Sequence, residues 1–195
     1  MNKLEKIKKD NINSHIPIIM DDTLEKIYEV IGDRKLNKIL EIGTAQGYSA
    51  ICFSKMINEN GIIDTIERNE ENIAKAKENI KTMQLEKKIN IIEGDAVEIL
   101  PNLNEKYDMV FIDAAKGKYP FFLEQSLRLT DEGAVIFADN ILYKGYVLSD
   151  YNKHKQRTAV NNLRKYIKEV QENTNLKTEI LDIGDGLAIS KKIIS

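Results

Sequence analysis

The sequence predicts a doubly wound α/β fold of about seven strands. Two observations carry this. From residue 38 onward, short apolar runs alternate with stretches of helical periodicity, the pattern of βαβ units and a mostly parallel sheet. The chain then closes on two apolar runs separated by Gly184-Asp185, which reads as a tight hairpin adding an antiparallel strand at one side. Folds of this kind take ligands beyond the carboxyl ends of their strands.

The elements follow in order. Residues 1–33 read as an N-terminal helical segment, broken at Ser14-His15-Ile16-Pro17 because the residue before a proline leaves the helical region. Leu24, Ile27, Val30 and Ile31 share one helical face. KILEIG (38–43) is a strand, and Gly47 to Ile57 a helix. IIDTIE (62–67) is a strand, followed by a helix over 69–83 with Ile73, Ala76 and Ile80 on its apolar face. INIIEG (89–94) is a strand leading into a short helix that ends near Leu100. YDMVFID (107–113) and AVIFAD (134–139) are strands, separated by a helix over 120–129. A helix over 157–172 precedes TEILDI (178–183) and GLAISKK (186–192), the two closing strands.

A chain of 195 residues suits a single domain, 1–195, with a sizeable core. With 42% hydrophobic and 31% charged residues it reads as globular and soluble rather than disordered. No apolar run approaches the length of a membrane span, and the charged start MNKLEKIKKD has no apolar signal region, so the expected location is cytoplasmic, with no membrane partner. The single cysteine, Cys52, excludes an internal disulfide and is expected to be a small buried residue. The net charge of −2 does not announce a nucleic-acid binder. Its distribution is uneven, because from Tyr143 to Lys168 the only acid is Asp150, among Lys144, Lys153, Lys155, Arg157, Arg164, Lys165 and Lys168.

The first strand runs into EIGTAQGYS (41–49), where Gly43 and Gly47 open a helix and Ala45 stands between them. A dinucleotide fingerprint places a glycine there so that a pyrophosphate can approach, and a nucleoside without phosphates fits better here. Any α/β loop needs glycines, so the loop alone is a weak signal. Glu41 could receive an ammonium group, and Glu67 ends the second strand, where an acid accepts from both ribose hydroxyls. Asp95-Ala96 follows the third strand at the expected adenine edge. Together these features fit S-adenosylmethionine.

Two later strands end on Asp113 and on Asp139-Asn140. Neighbouring strands lie about 4.8 Å apart, so the three side chains converge. Two carboxylates and an amide oxygen, without sulfur or imidazole, suit Mg²⁺. Lys116 lies within reach, and a lysine beside a dication can serve as a general base. Singly, Asp139 and Asn140 would be turn caps and Lys116 a solvated lysine; at matching strand ends they read as a metal site.

EIGTAQGYSA, IERN, EGDA, FIDAAKGKY and ADNILYKG together resemble the cation-dependent O-methyltransferases of catechol and caffeoyl-CoA type, over nearly the whole chain. The resemblance implies the class I, Rossmann-like S-adenosylmethionine-dependent methyltransferase fold. It implies that Asp113, Asp139 and Asn140 hold Mg²⁺ and that Lys116 is the general base. It implies that Glu67 binds the ribose, and that Ile16, Glu41, Gly43, Ala45, Ser49, Asp95, Ala96 and Asp113 line the cofactor pocket. It also suggests a homodimer. Within the family, IERNE, FIDAAKG and GDGLAISKK are most similar to the bacterial branch that methylates 5-hydroxyuridine at the tRNA wobble position, giving 5-methoxyuridine.

A catechol and a 5-hydroxyuracil both offer a hydroxyl beside a second oxygen, so the site residues do not separate them. Lys144, Lys153, Lys155 and Arg157 could contact the phosphates of a tRNA anticodon stem-loop, and Tyr143, Tyr146 or Tyr151 could stack on a base. Against this, Arg157, Arg164, Lys165 and Lys168 have the spacing of a solvated helix face. A small catechol or hydroxycinnamoyl-type acceptor is the alternative. A non-catalytic nucleoside-binding module is a third reading, opposed by the intact Asp113, Lys116, Asp139 and Asn140.

Overall fold

The computed structural model describes residues 2–150 and 156–194, and the chain divides into two compact units after Ile99. In the first unit, α1 (Lys3–Asn13) begins with a reciprocal cap in which Asn2 accepts from the Glu5 N–H at 2.8 Å and Glu5 accepts from the Asn2 N–H at 3.3 Å. The expected break follows it, with His15 at φ 56° and the Ile16 N–H donating to Asn11 O at 3.0 Å. In α2 (Asp21–Ile31), Ile27 and Ile31 are buried and Leu24 and Val30 half-buried, and Gly32 ends the helix at φ 60°.

β1 (Leu36–Ile42) pairs in parallel with β2 (Ile57–Glu67), which pairs in parallel with β3 (Ile89–Glu93). The helix expected over 47–57 is shorter, because α3 covers only Tyr48–Phe53 and β2 starts at Ile57. Asn58, Glu59 and Asn60 look like loop in sequence, yet Ile57 pairs with Leu36 before the register shifts to Lys38 opposite Ile62. Gly61 makes the shift possible, since a Cβ there would stand 2.6 Å from Ile57 Cβ and 2.9 Å from Leu36 O. Helix α4 (Glu70–Thr82) is capped by Asn69, whose side chain accepts from the Asn72 N–H at 2.9 Å, and it buries Ile73, Ala76 and Ile80 as expected. The short α5 (Ala96–Ile99) follows β3. Cys52 is 1% exposed, and burial pushes its thiol up to about 11.

In the second unit, β4 (Tyr107–Ile112) pairs in parallel with β5 (Thr130–Ala138), and α6 (Tyr119–Arg128) connects them. Helix α7 (Arg157–Glu172) packs on α6, burying Val160, Leu163, Tyr166 and Val170. β7 (Leu187–Lys192) runs antiparallel to both β5 and β6 (Leu176–Leu181). Gly184-Asp185 form the tight turn that the sequence suggests, closed by the Gly186 N–H donating to Ile183 O at 2.9 Å, but the strand pairing stops earlier, at Leu181 opposite Leu187. The whole connection spans residues 182–186, because its tip bonds elsewhere: the Ile141 and Leu142 N–H groups donate to Gly186 O and Asp185 O, each at 3.0 Å. Among the described residues no helix is long and apolar enough to cross a membrane.

Candidate active site

The glycine loop after β1 is a sharp turn, with Gly43, Ala45 and Gly47 at φ 105°, 46° and 83°. Ala45 is the unusual member, since a left-handed alanine costs about 1–2 kcal/mol. Glu67 offsets that cost by accepting the Ala45 N–H at 2.9 Å through one carboxylate oxygen. Its other oxygen accepts the N–H groups of Arg68 and Asn69, each at 2.9 Å. A carboxylate offers about four acceptor positions, so room remains for a ligand hydroxyl. From α4, Asn79 Nδ2 donates to Gln46 O at 2.9 Å, and Ala76 packs where a Gly47 Cβ would meet it at 3.4 Å.

Glu41 lies fully buried at the end of β1 and accepts hydroxyl bonds from Ser49 and Thr65. Thr65 in turn lies 2.6 Å from the Thr44 hydroxyl. The network ties the end of β1 to β2 and the first turn of α3. Thr44 and Thr65 were not legible as site residues; the available signal was that Thr65 shares a strand face with Glu67. Asp95 accepts the Val97 N–H at 2.9 Å and pairs with Arg68 at 3.0 Å, with half-buried Ala96 beside it. Ile16 is half-buried in the segment between α1 and α2. Replacing Glu67 with glutamine puts an NH₂ where one set of backbone donors needs an acceptor. Glu67→Gln is expected to weaken S-adenosylhomocysteine binding by about tenfold or more, about 1.4 kcal/mol, read by equilibrium titration.

The second unit holds the other cluster. β4 and β5 pair with Ile112 opposite Ala138, so Asp113 and Asp139 leave their strands side by side, and the Asp139 N–H donates to Ile112 O at 3.0 Å. Asp139 is 2% exposed. Burial and the neighbouring Asp113 charge push its carboxyl up to about 7, against the opposing effects of the Asn140 N–H at 2.7 Å and Lys116. Asn140 sits at φ 55°, which turns its side chain back toward the lysine. Lys116, on a short 3₁₀ turn, donates to Asp113 Oδ1 at 3.0 Å, Asn140 Oδ1 at 2.9 Å and Tyr119 OH at 3.1 Å. All three ammonium donors are thereby used.

Tyr119 was missed in the sequence, although it lies three residues after Lys116 on the same turn. It is fully buried and donates to Asp139 O at 2.7 Å. Burial, with the charges of Asp113 and Asp139, keeps its phenol well above the ordinary range. The donor set fits a hard divalent cation: the Asp113 carboxylate and the Asn140 amide oxygen already share one positive charge, and the Asp139 carboxylate is near enough for its charge to interact with both Asp113 and Lys116. Among the described residues no group of three or more His, Cys, Asp or Glu side chains forms a rival metal centre.

The basic stretch resolves into different roles. Lys144 and Arg157 are exposed, while Lys153 and Lys155, with Tyr151 and His154, lie outside the described residues. Lys165 and Lys168 stand 3.6 and 4.0 Å from Glu169 and Glu172. Arg164 is no part of a solvated face, because its guanidinium donates to Val147 O at 3.1 Å, Tyr146 O at 3.3 Å and Ser149 O at 2.5 Å. Tyr143 and Tyr146 pack edge to face, with centroids 5.8 Å apart.

A family model described as O-methyltransferase matches residues 24–193. A catechol O-methyltransferase of Niastella koreensis is 35% identical over 161 residues, covering 78% of this chain and 72% of that protein. The crystal structure of a candidate caffeoyl-CoA O-methyltransferase from Staphylococcus aureus is 36% identical with a TM-score of 0.89, covering 98% of this chain and 93% of that one. That of an O-methyltransferase from Bacillus cereus in complex with S-adenosylhomocysteine is 25% identical with a TM-score of 0.84, covering 97% and 90%. The Rossmann-like fold expected from the sequence is thus the fold observed.

Proposed function

The chain belongs to the O-methyltransferase family and is an S-adenosylmethionine-dependent O-methyltransferase, and on that premise we propose that it methylates a hydroxyl flanked by a second oxygen, with a divalent cation held by Asp113, Asp139 and Asn140. The observation that carries the reading is Lys116 Nζ within hydrogen-bond distance of Asp113, Asn140 and Tyr119.

S-Adenosylmethionine supplies the methyl group on a sulfonium, and Mg²⁺ at the three oxygens supplies Lewis acidity that makes the acceptor hydroxyl easier to deprotonate. The chain's own residues do the rest. Glu67 receives a ribose hydroxyl while holding Ala45 in its turn. Glu41, Ser49 and Thr65 fix the strand end beneath the glycine loop, and Asp95 and Ala96 flank the adenine. Lys116 Nζ, as the neutral amine, takes the acceptor's proton. Tyr119, anchored on Asp139 O, keeps that nitrogen pointed at the reacting oxygens rather than at solvent. Placement of the two reactants supplies much of the acceleration.

For the acceptor we carry forward the 5-hydroxyuridine of a tRNA wobble position. Exposed Lys144 and Arg157, and the acid-poor run between them, support it. A small catechol-type acceptor is the second reading. It is supported by the name of the Niastella koreensis relative and by the engagement of Arg164, Lys165 and Lys168 within the fold. We place the reaction in the cytoplasm, carried out by a homodimer, a state that light scattering tests.

The deciding experiment incubates the protein with labelled S-adenosylmethionine, Mg²⁺ and tRNA from a methyltransferase-deficient strain, with catechol in parallel and at rising salt. Label on 5-hydroxyuridine that falls steeply with salt is the expected result. Label in catechol alone establishes the second reading. Undiminished transfer by chelator-treated protein would overturn the cation's role.

A further inference from the structure

The segment after β5 is held in a form it would not adopt alone. Asn140, Tyr143, Lys144 and Gly145 have φ values of 55°, 45°, 57° and 73°. Three of these are non-glycine residues in the left-handed region, at a cost of about 1 kcal/mol or more each. Such a turn persists only when neighbouring structure over-determines it, and the neighbours here are distant in sequence.

From the β6–β7 turn, Asp185 contributes twice: its backbone O accepts the Leu142 N–H at 3.0 Å and its Oδ1 accepts the Lys144 N–H at 2.6 Å. Gly186 O accepts the Ile141 N–H at 3.0 Å. From α7, the Arg164 fork reaches three carbonyls, those of Tyr146, Val147 and Ser149. The segment from Asn140 to Ser149 is therefore bonded at its start by the hairpin tip and at its end by the arginine. Its first residue is a candidate cation ligand, and it carries the Tyr143–Tyr146 edge-to-face pair.

We propose that Arg164 and Asp185 are positioning residues for the acceptor, holding residues 141–149 as a pre-formed wall that continues from Asn140, the residue that accepts from Lys116. The inference rests on the methyltransferase reading above for what the wall receives. A planar fork is needed at the first position: lysine has a single ammonium on a flexible stem and does not span three carbonyls in fixed geometry. At the second position only an acceptor oxygen is needed, so asparagine serves where alanine does not.

The test compares Arg164→Met, Arg164→Lys, Asp185→Ala and Asp185→Asn by two readouts. Amide hydrogen exchange reports the hold directly, without any acceptor. The N–H groups of Leu142, Lys144 and Val147 are expected to exchange about tenfold faster or more in Arg164→Met, Arg164→Lys and Asp185→Ala, with α7 unchanged. Asp185→Asn is expected to keep wild-type protection. Kinetics report the consequence: acceptor KM rises about tenfold while kcat stays within about threefold and S-adenosylhomocysteine affinity is kept. Unchanged exchange with unchanged KM overturns the proposal, as does faster exchange spread through α7, or full rescue by Arg164→Lys. If wild-type protein methylates neither tRNA nor catechol, the acceptor reading falls while the exchange data still decide whether the brace exists.

Discussion

Asp139→Asn is expected to lower Mg²⁺-dependent kcat/KM by about a thousandfold, about 4 kcal/mol of transition-state stabilisation, while leaving S-adenosylhomocysteine binding intact. The side chain keeps its shape and still offers an oxygen to the Asn140 N–H, now 2.7 Å from Asp139 Oδ1. What it loses is a negative charge 2% exposed to solvent beside a second carboxylate. Without a bound cation that charge is costly, so the variant is expected to unfold at the same temperature as metal-free wild type or higher. Loss of activity with unimpaired stability separates a ligand from a scaffold residue. Normal turnover by Asp139→Asn, or a large drop in its unfolding temperature, would sink the assignment.

The same carboxyl sets a pH dependence. Its folded value, up to about 7 from an ordinary 3.8, means that the folded metal-free protein holds this proton more tightly than the unfolded chain. This contribution to stability is therefore present at low pH and lost as pH rises through about 7. Mg²⁺ competes for the deprotonated form, so its affinity is expected to fall as pH drops below about 7, read by titration calorimetry on either side of that value.

Gly186→Ala is expected to destabilise the protein by about 3 kcal/mol and to raise acceptor KM sharply. A Cβ at this position would lie 2.3 Å from Leu142 Cγ, 2.9 Å from its Cβ and 2.9 Å from its backbone N, at a φ of +90°. The leucine side chain could rotate away, but the backbone nitrogen is fixed by its bond to Asp185 O. The segment after Asn140 must therefore shift. The glycine loop and Glu67 belong to the other unit, so cofactor affinity is expected to survive. Calorimetry and acceptor kinetics check both parts; an unfolding temperature equal to wild type would contradict the steric argument.

Local pattern determined much of this protein. The short apolar runs KILEIG and YDMVFID reflect strands whose later residues are buried on both faces, and the helical spacing of Ile73, Ala76 and Ile80 reflects a helix buried on one face; those elements stand close to where the pattern puts them. Strand ends are also local facts, so Asp113, Asp139 and Asn140 could be grouped before any coordinates, once two successive strands were taken as neighbours. Tertiary structure alone decided the rest, because those features depend on partners far along the chain. The polar start of β2 is a strand only because Leu36 pairs with it. The closing connection spans five residues because its tip bonds Ile141, Leu142 and Lys144, more than forty positions earlier. Arg164 carries the spacing of a solvated helix face yet is drawn to three carbonyls, and Tyr119 joins the Lys116 cluster through its bond to Asp139 O. Periodicity reports which face of an element is buried; it carries no information on which distant atom will complete a hydrogen bond.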